Sequence, residues 1–319
     1  MTTLRVGDNF DSIDSIELRI LHLLQQTGSL TQVASQLGMS QPAVSQRIKR
    51  VETRLAVPLI ERHGRGVRLT QAGNILAEHG AVVVQEIDAA LAAIEDLRGD
   101  RGGLLRVVGF PSASATIIPQ LMRKLAEHAP AVTFQYREQE PPEAIELLKA
   151  GEVDCALIFQ YDEGEALMGS HEFIPLWQEE LCLVAPTERV AGLKTATLES
   201  FSTDPWIAGC TKCRGHLLEV TRSKGFEPDI IQETDNMPAT IAMVAAGESV
   251  AMVPGLAIAS QGSMPKGAKA INFTQPQYRT IGIVCPETVH ESPAVRLVKR
   301  LLKGIDGRQW GLTKKERNI

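Results

Sequence analysis

The chain has 319 residues, more than one hydrophobic core of roughly 150 residues accounts for, so about two domains are expected. With 44% hydrophobic and 22% charged residues it can fill packed cores and is too weakly charged to be disordered. The longest nearly uncharged stretch, 236–265, is broken by Pro238, Gly247, Glu248, Pro254 and Gly255, which excludes the ~20 unbroken apolar residues of a spanning helix.

The opening MTTLRVGDNFDSID lacks a basic flank, an apolar core and a small-residue cleavage pattern, so a cytoplasmic location is expected. From Asp14 the apolar residues Ile16, Ile20, Leu21, Leu23 and Leu24 fit a helix that Gly28 stops. A short helix over 31–37 ends at Gly38. After three residues a third helix opens with Ser40 as its cap and Pro42 in its first turn. Its apolar spine is Val44, Ile48, Val51 and Leu55, and helix, glycine-containing turn, helix is the helix-turn-helix pattern. The rest of the third helix carries Gln41, Ser45, Gln46, Arg47, Lys49 and Arg50. Glutamine can pair with adenine, and lysine and arginine neutralise phosphates.

The segment ERHGRGVRLT then reads as a hairpin wing around Gly64 and Gly66, exposing Arg62, Arg65 and Arg68. The whole chain has a net charge of -5, yet 38–70 holds seven basic residues against Glu52 and Glu61. A compact basic segment on an acidic body is the distribution of a protein with one end on a polyanion. Thr70 caps a helix reaching about Leu97. Its stripe of Val83, Ile87, Ala90, Ile94 and Leu97, on a rod about 40 Å long at ~1.5 Å per residue, calls for a partner helix.

Past a glycine joint at Gly99, Gly102 and Gly103 the pattern alternates. Strands are predicted over 104–108, 132–137 and 153–159 with helices over 117–128 and 142–150 between them, a βαβαβ unit with a largely parallel sheet. A second set follows, with strands over 181–185, 206–208, 230–233 and 250–253 and helices over 215–223 and 237–246. A strand over 280–285 and a helix over 294–302 close the chain. Two similar halves suggest two lobes with a cleft between them. The polar last residues are expected to be loose.

These residues resemble the LysR-type bacterial transcriptional regulators over nearly the whole chain. The resemblance is carried by GSLTQVASQLGMSQPAVSQRIKRVETRLAVPLIERHGRGVRLTQAG, with its Ser-Gln-Pro-Ala helix opening, Glu52, the Pro-Leu-Ile-Glu-Arg run and Leu-Thr-x-Ala-Gly. The body adds GFPSASATIIPQLMRKLAEHAP, AIELLKAGEVDCALI and VAAGESVAMVPG. The resemblance implies an all-α winged helix-turn-helix domain with a long linker helix, joined to a two-lobed α/β sensor domain resembling type 2 periplasmic binding proteins. The implied divisions are 1–70 for DNA binding, 71–98 for the linker, 99–103 for a hinge, 104–305 for the effector-binding domain and 306–319 for a tail. It places Ser40, Gln41, Pro42 and Ser45 in the major groove, Arg62 and Arg65 in the wing at the minor groove, and Arg50 on the backbone. Many members have arginine directly after the second serine of that helix, where this chain has Gln46 and then Arg47.

In solute-binding folds ligands lie between lobes at loops preceding helix N-termini, which favour anions. Three such loops are present. They offer Ser112, Ser114 and Thr116; Cys210, Thr211, Cys213 and Arg214; and Asn236 and Met237, and the resemblance puts effector contacts in the same loops. Each serine or threonine is equally readable as a helix cap. Five cysteines (Cys155, Cys182, Cys210, Cys213 and Cys285) are the wrong arithmetic for a disulfide framework and are expected reduced. Cys210 and Cys213, beside Lys212 and Arg214 at a helix start, should have lowered pKa values, so a thiol-redox switch is the alternative signal. No metal site and no cofactor are expected.

The reading is therefore a regulator controlled by a small, anionic metabolite between the lobes. Double-stranded DNA, a second copy through the linker helix, a tetramer and RNA polymerase are its expected partners, and a membrane is not. An α/β enzyme is the competing class, but G-x-S-x-G, H-E-x-x-H, G-x-G-x-x-G and a phosphate-binding glycine loop are missing from the sequence.

Overall fold

The computed structural model describes residues 13–63, 66–97, 103–161, 171–286 and 292–315. The chain divides into two compact units, one built mainly on residues up to 99 and the other on residues from 100 onward.

In the first unit α1 (Ser15–Thr27), α2 (Leu30–Gln36) and α3 (Gln41–Leu55) are followed by β1 (Ile60–His63), β2 (Gly66–Leu69) and α4 (Gln71–Leu97). Local chemistry sets each boundary. Asp14 and Glu17 form a reciprocal capping box at the start of α1, and Gly28, with φ of 60°, closes it in the left-handed conformation. Ser29 caps α2 and Ser40 caps α3. Val44, Ile48 and Val51 join Ile20, Leu21, Leu24, Val33 and Leu59 in one core. β1 and β2 pair antiparallel from Ile60 opposite Leu69 to His63 opposite Gly66, which forms the wing. Small residues let α4 approach its neighbours. A Cβ on Gly80 would meet the Leu18 carbonyl oxygen at 2.9 Å, and one on Gly73 would meet the Leu59 carbonyl oxygen at 2.2 Å.

Glu52 ties α3 to the wing, accepting from the backbone N–H groups of Leu59 at 2.8 Å and Ile60 at 3.2 Å. Glu52→Ala leaves those part-buried donors without that acceptor and should lower stability by about 1–3 kcal/mol. Urea unfolding followed by far-ultraviolet circular dichroism would detect this, and a change below about 0.5 kcal/mol would remove Glu52 from this role.

The second unit contains β3 (Leu104–Gly109), α5 (Pro111–Ser114), α6 (Ile117–His128), β4 (Thr133–Glu138), α7 (Pro141–Lys149), β5 (Cys155–Gln160) and β6 (His171–Pro186). Next come β7 (Thr195–Ala196), β8 (Pro205–Ala208), α8 (Thr211–Ser223), β9 (Asp229–Glu233), α9 (Met237–Ala246), β10 (Val250–Pro254) and α10 (Gly255–Ser260). β11 (Ala268–Pro286), α11 (Pro293–Lys303) and β12 (Thr313–Lys314) complete it. Two bodies of core are separate. Leu105, Val107, Leu121, Leu157, Ile281 and Val298 belong to one. Leu183, Phe201, Trp206, Leu217, Val250 and Ile271 form the other, flanked by a cluster around Val184, Ile207 and Val244.

The predicted βαβαβ order holds at both ends, where β3 is parallel to β4 and β5, and β8 is parallel to β9 and β10. The centre departs from the expected parallel sheet. Among the described residues the strand order is β4-β3-β5-β11-β6-β10-β8-β9, and β6 and β11 are long antiparallel strands that belong to both halves. Each was expected only as a short strand, because the apolar runs at 181–185 and 280–285 are its most hydrophobic parts. β5 pairs on β11 over 280–284, whereas β10 pairs on β6 over 181–184. The register between the two long strands shifts between Asn272 and Gln277, where they pass from one half to the other.

Of the tail expected to be loose, residues 306–315 are held in place, and 316–319 lie outside the described residues. Leu312 is buried, and Thr313 and Lys314 pair with Gln178 and Trp177 of β6. The Gly307 position is tight as well, since a Cβ there would meet Leu312 at 2.7 Å. A small apolar anchor in a polar stretch outweighs the composition around it.

Candidate functional site

Two sites follow from this architecture. In the first unit the buried spine of α3 leaves Gln41, Pro42, Gln46, Lys49 and Arg50 exposed, with Ser45 half-buried. Gln41 is held along the helix, its Nε2 donating to Ser45 Oγ at 3.1 Å. Ser40 accepts from the Ala43 N–H at 3.4 Å, so its hydroxyl is engaged as the cap. Arg62 is exposed on β1, while Arg65 lies outside the described residues. Not every basic residue faces outward unpaired. Arg47 pairs with Asp14 at 2.9 Å, Arg54 with the buried Glu17 at 2.5 Å, and Arg68 with Glu61 at 2.6 Å. Lys49, Arg50 and Arg62 are therefore the described cations best placed for phosphates, and Arg47 would first have to leave Asp14.

The second site lies around the shared strands. Arg279 of β11 is directly opposite Glu179 of β6, and both side chains are almost completely buried, at 2% and 1% exposure. Arg279 Nε donates to Glu179 Oε2 at 2.6 Å, and its Nη2 donates to Ser112 Oγ at 2.9 Å. The guanidinium lies over the Phe159 ring at 4.1 Å and the Phe110 ring at 5.0 Å. Glu179 also accepts from the Leu256 N–H at 2.6 Å, so the pair links β6, β11, α5 and the start of α10.

Near this pair is a small cavity lined in part by Tyr161, Cys213, His216, Met237 and Met252. Tyr161 stacks on His216 with ring centroids 3.9 Å apart and donates its hydroxyl to Cys213 Sγ at 3.3 Å. Cys210 caps α8, and its Sγ is 3.1 Å from Cys213 Sγ. The two thiols are unequal. Cys213 is lowered from its ordinary pKa, chiefly by the Cys210 hydrogen bond, with Arg279 and the Tyr161 hydroxyl adding to it. Cys210 is raised, first by giving that hydrogen bond and then by burial. The lowered pKa expected of both thiols thus holds for one. Its cause is the neighbouring thiol and Arg279, whereas Arg214 is exposed and paired with Glu233 at 2.9 Å. Glu140 faces Cys210 and is raised by burial.

The remaining cleft candidates are placed as follows. Cys213 and Met237 line the cavity, and Ser112 meets Arg279. Ser114 Oγ is 2.7 Å from the Tyr136 hydroxyl, and Thr116 Oγ1 donates to the Ser112 carbonyl at 2.6 Å. Asn236 accepts from the Ala239 N–H at 3.1 Å as a helix cap, and Thr211 is exposed. Ser114, Thr116 and Asn236 are thus engaged locally. Sequence reasoning missed Arg279 and Glu179 altogether. Their signal was the strand period of two, which puts Arg279 on the face of Ile281 and Ile283, and Glu179 on the face of Trp177 and Leu181. Among the described residues no group of three or more His, Cys, Asp and Glu side chains could hold a metal ion. No described helix is long and apolar enough to cross a membrane.

A winged helix-turn-helix followed by a long helix and a two-lobed α/β domain defines a DNA-binding transcriptional regulator as the class of protein. The chain belongs to the LysR family: residues 16–74 match the bacterial regulatory helix-turn-helix protein, lysR family, and 98–305 match the LysR substrate binding domain. It is 26% identical over 291 residues, 89% of this chain and 96% of the other, to the uncharacterized HTH-type transcriptional regulator YybE of Bacillus subtilis. Full-length OxyR from Pseudomonas aeruginosa, solved with a cysteine-to-aspartate substitution, has the same fold with a TM-score of 0.70 at 21% identity, covering 91% of this chain and 93% of that one. Full-length CbnR in complex with its target DNA has a TM-score of 0.52 at 20% identity, covering 93% of this chain and all of that one.

Proposed function

We propose that this LysR-family regulator reads its operator through α3 and the wing and is controlled by a small molecule bound in the cleft beside Arg279. The observation that carries the first half is the exposed polar surface of α3, with Gln41 held in place by Ser45, on a helix whose Val44, Ile48 and Val51 are buried. DNA as partner is supported by the CbnR complex sharing the fold. For the second half, the cavity beside Cys213 and Met237, adjoining strands shared by both halves, is where a ligand could alter how the halves close. An anionic ligand would draw its counter-charge from the starts of α8 and α9, because Arg279 is already balanced by Glu179. Ser112, Ser114, Thr116, Cys210, Thr211, Cys213, Arg214, Asn236 and Met237 remain the proposed contacts. Those already engaged would exchange a protein partner for the ligand.

Assembly follows from α4. Ile75, Val83 and Ile87 recur at helical spacing and are 51%, 38% and 42% exposed in the single chain, a stripe suited to a second copy. Ala90, Ile94 and Leu97 continue it in sequence, but their side chains lie outside the described residues. The proposed state is a dimer that pairs into a tetramer, acting in the cytoplasm, contacting RNA polymerase and carrying out no catalysis.

The test is binding to the chain's own promoter region across salt concentrations. Arg62→Ala should weaken binding to all sequences alike and reduce the salt slope by about 1. Gln41→Ala should cost about 1–3 kcal/mol on the preferred operator and little elsewhere. Equal losses on all sequences for both variants would contradict this division of labour. A second reading, in which oxidation of Cys210 and Cys213 is the signal, rests on their 3.1 Å separation. It requires promoter binding to change with reductant.

A further inference from the structure

The metabolite reading uses Cys210 and Cys213 as single contacts and gives no role to their pairing. Cys210 and Cys213 come within 3.1 Å at the start of α8, with the Cys213 N–H donating to Cys210 Sγ at 3.5 Å and the Tyr161 hydroxyl donating to Cys213 Sγ. The pair is reached through Cys213, which is half-buried, whereas Cys210 is buried at 6% exposure. Cys213 lines the cavity together with the thioethers of Met237 and Met252. Gly209 packs closely on this turn, since a Cβ there would stand 3.2 Å from Cys213 Cβ and 3.4 Å from Met237 Cε. The chain provides its own contrast in Cys155 and Cys285. These also hydrogen-bond to each other, but they sit in the core at 0% and 1% exposure, and Cys155 is pushed well above its ordinary pKa.

The separation of the two sulfurs limits what they can hold. Two thiolates on a tetrahedral zinc ion, at ~2.3 Å each, stand about 3.8 Å apart, and zinc needs further ligands that the described residues do not gather. Trivalent arsenic is pyramidal, forms bonds near right angles, and so draws two sulfurs closer together while needing only two. Its hydroxides are neutral, which suits a cleft whose buried guanidinium already has its counter-ion in Glu179.

We propose that Cys210 and Cys213 form a chelating dithiol site for trivalent arsenicals. Two arsenic–oxygen bonds break and two arsenic–sulfur bonds form. Each departing hydroxide takes one thiol proton and leaves as water, and arsenic stays trivalent, so no oxidant or reductant takes part. The first attack falls to Cys213, held as the readier thiolate by Cys210, Arg279 and Tyr161, and Cys210 closes the ring. Chelation removes the Cys210 S–H bond to Cys213 and competes with the Tyr161 bond that joins the end of β5 to α8. This site goes beyond the metabolite reading and does not depend on it.

The test uses the full-length chain, reduced with a phosphine under nitrogen and titrated with phenylarsine oxide, read by native mass spectrometry. One adduct per protomer is expected, reversed by ethanedithiol and resistant to the same concentration of a monothiol. Cys210→Ser and Cys213→Ser should each bind roughly a hundredfold more weakly, because one sulfur forfeits the chelate advantage, while Cys155→Ser should bind as the parent does. Iodoacetamide mapping of the unaltered chain gives a readout that needs no variant, in which the arsenical should protect Cys210 and Cys213 together. Absence of the adduct on the parent, its survival in the double serine variant, or protection confined to other cysteines would each overturn the proposal. Loss of operator binding, measured separately, would count against the regulator reading and not against this site.

Discussion

Glu179→Ala should destabilise the sensor unit by about 3–5 kcal/mol, among the larger losses a single substitution can produce. The carboxylate is buried opposite Arg279 and accepts from both the guanidinium and the Leu256 N–H. Without it the guanidinium stays buried against two phenylalanine rings beside the Ser112 hydroxyl, and the Leu256 N–H loses its acceptor. The cost is that of an uncompensated buried charge, not the net worth of the pair. Replacing both residues by apolar ones of similar volume, Glu179→Leu with Arg279→Met, should therefore recover most of the loss. Urea unfolding of the two single variants and the double one gives the coupling energy directly. Losses that simply add would mean that the two residues do not act as a pair. These side chains face each other on the two strands that both halves share.

The second large effect is expected at Gly73→Ala, which should destabilise the first unit by at least about 3 kcal/mol. A Cβ at this position falls 2.2 Å from the Leu59 carbonyl oxygen and 3.2 Å from Leu69 Cβ. The obstacle is backbone, and that oxygen is already the acceptor of the Thr70 N–H, so no side-chain rotation relieves it. The first turn of α4 would have to separate from the wing strands. Because Gly73 is remote in sequence from α3, weakened operator binding would come from a misplaced wing. The measurement is the urea midpoint of the unit alongside operator affinity, and an unchanged midpoint would show that α4 can shift at little cost.

Much of the first unit is legible in the sequence because local chemistry determines it. Asp14, Ser29 and Ser40 cap helices from within a turn, Gly28 ends one, and the 4, 3, 4 spacing of Val44, Ile48, Val51 and Leu55 needs no distant partner to define a face. The alternating strands and helices at both ends of the sensor unit are legible for the same reason. What the sequence alone left open depends on pairing between distant residues. Glu179 and Arg279 are separated by 100 residues, and each lies just outside the apolar run taken as its strand, so a charged residue hid both the length of the strand and the buried face. Likewise the ion pairs that occupy Arg47 and Arg68 exist only once α1 and the wing are assembled. The CxxC spacing was visible from the start, but spacing places two sulfurs on one turn without fixing their protons. The hydrogen bond from Cys210 makes Cys213 the more acidic of the two, and Arg279 from β11 and Tyr161 from the end of β5, which add to that effect, are brought there only by the tertiary fold.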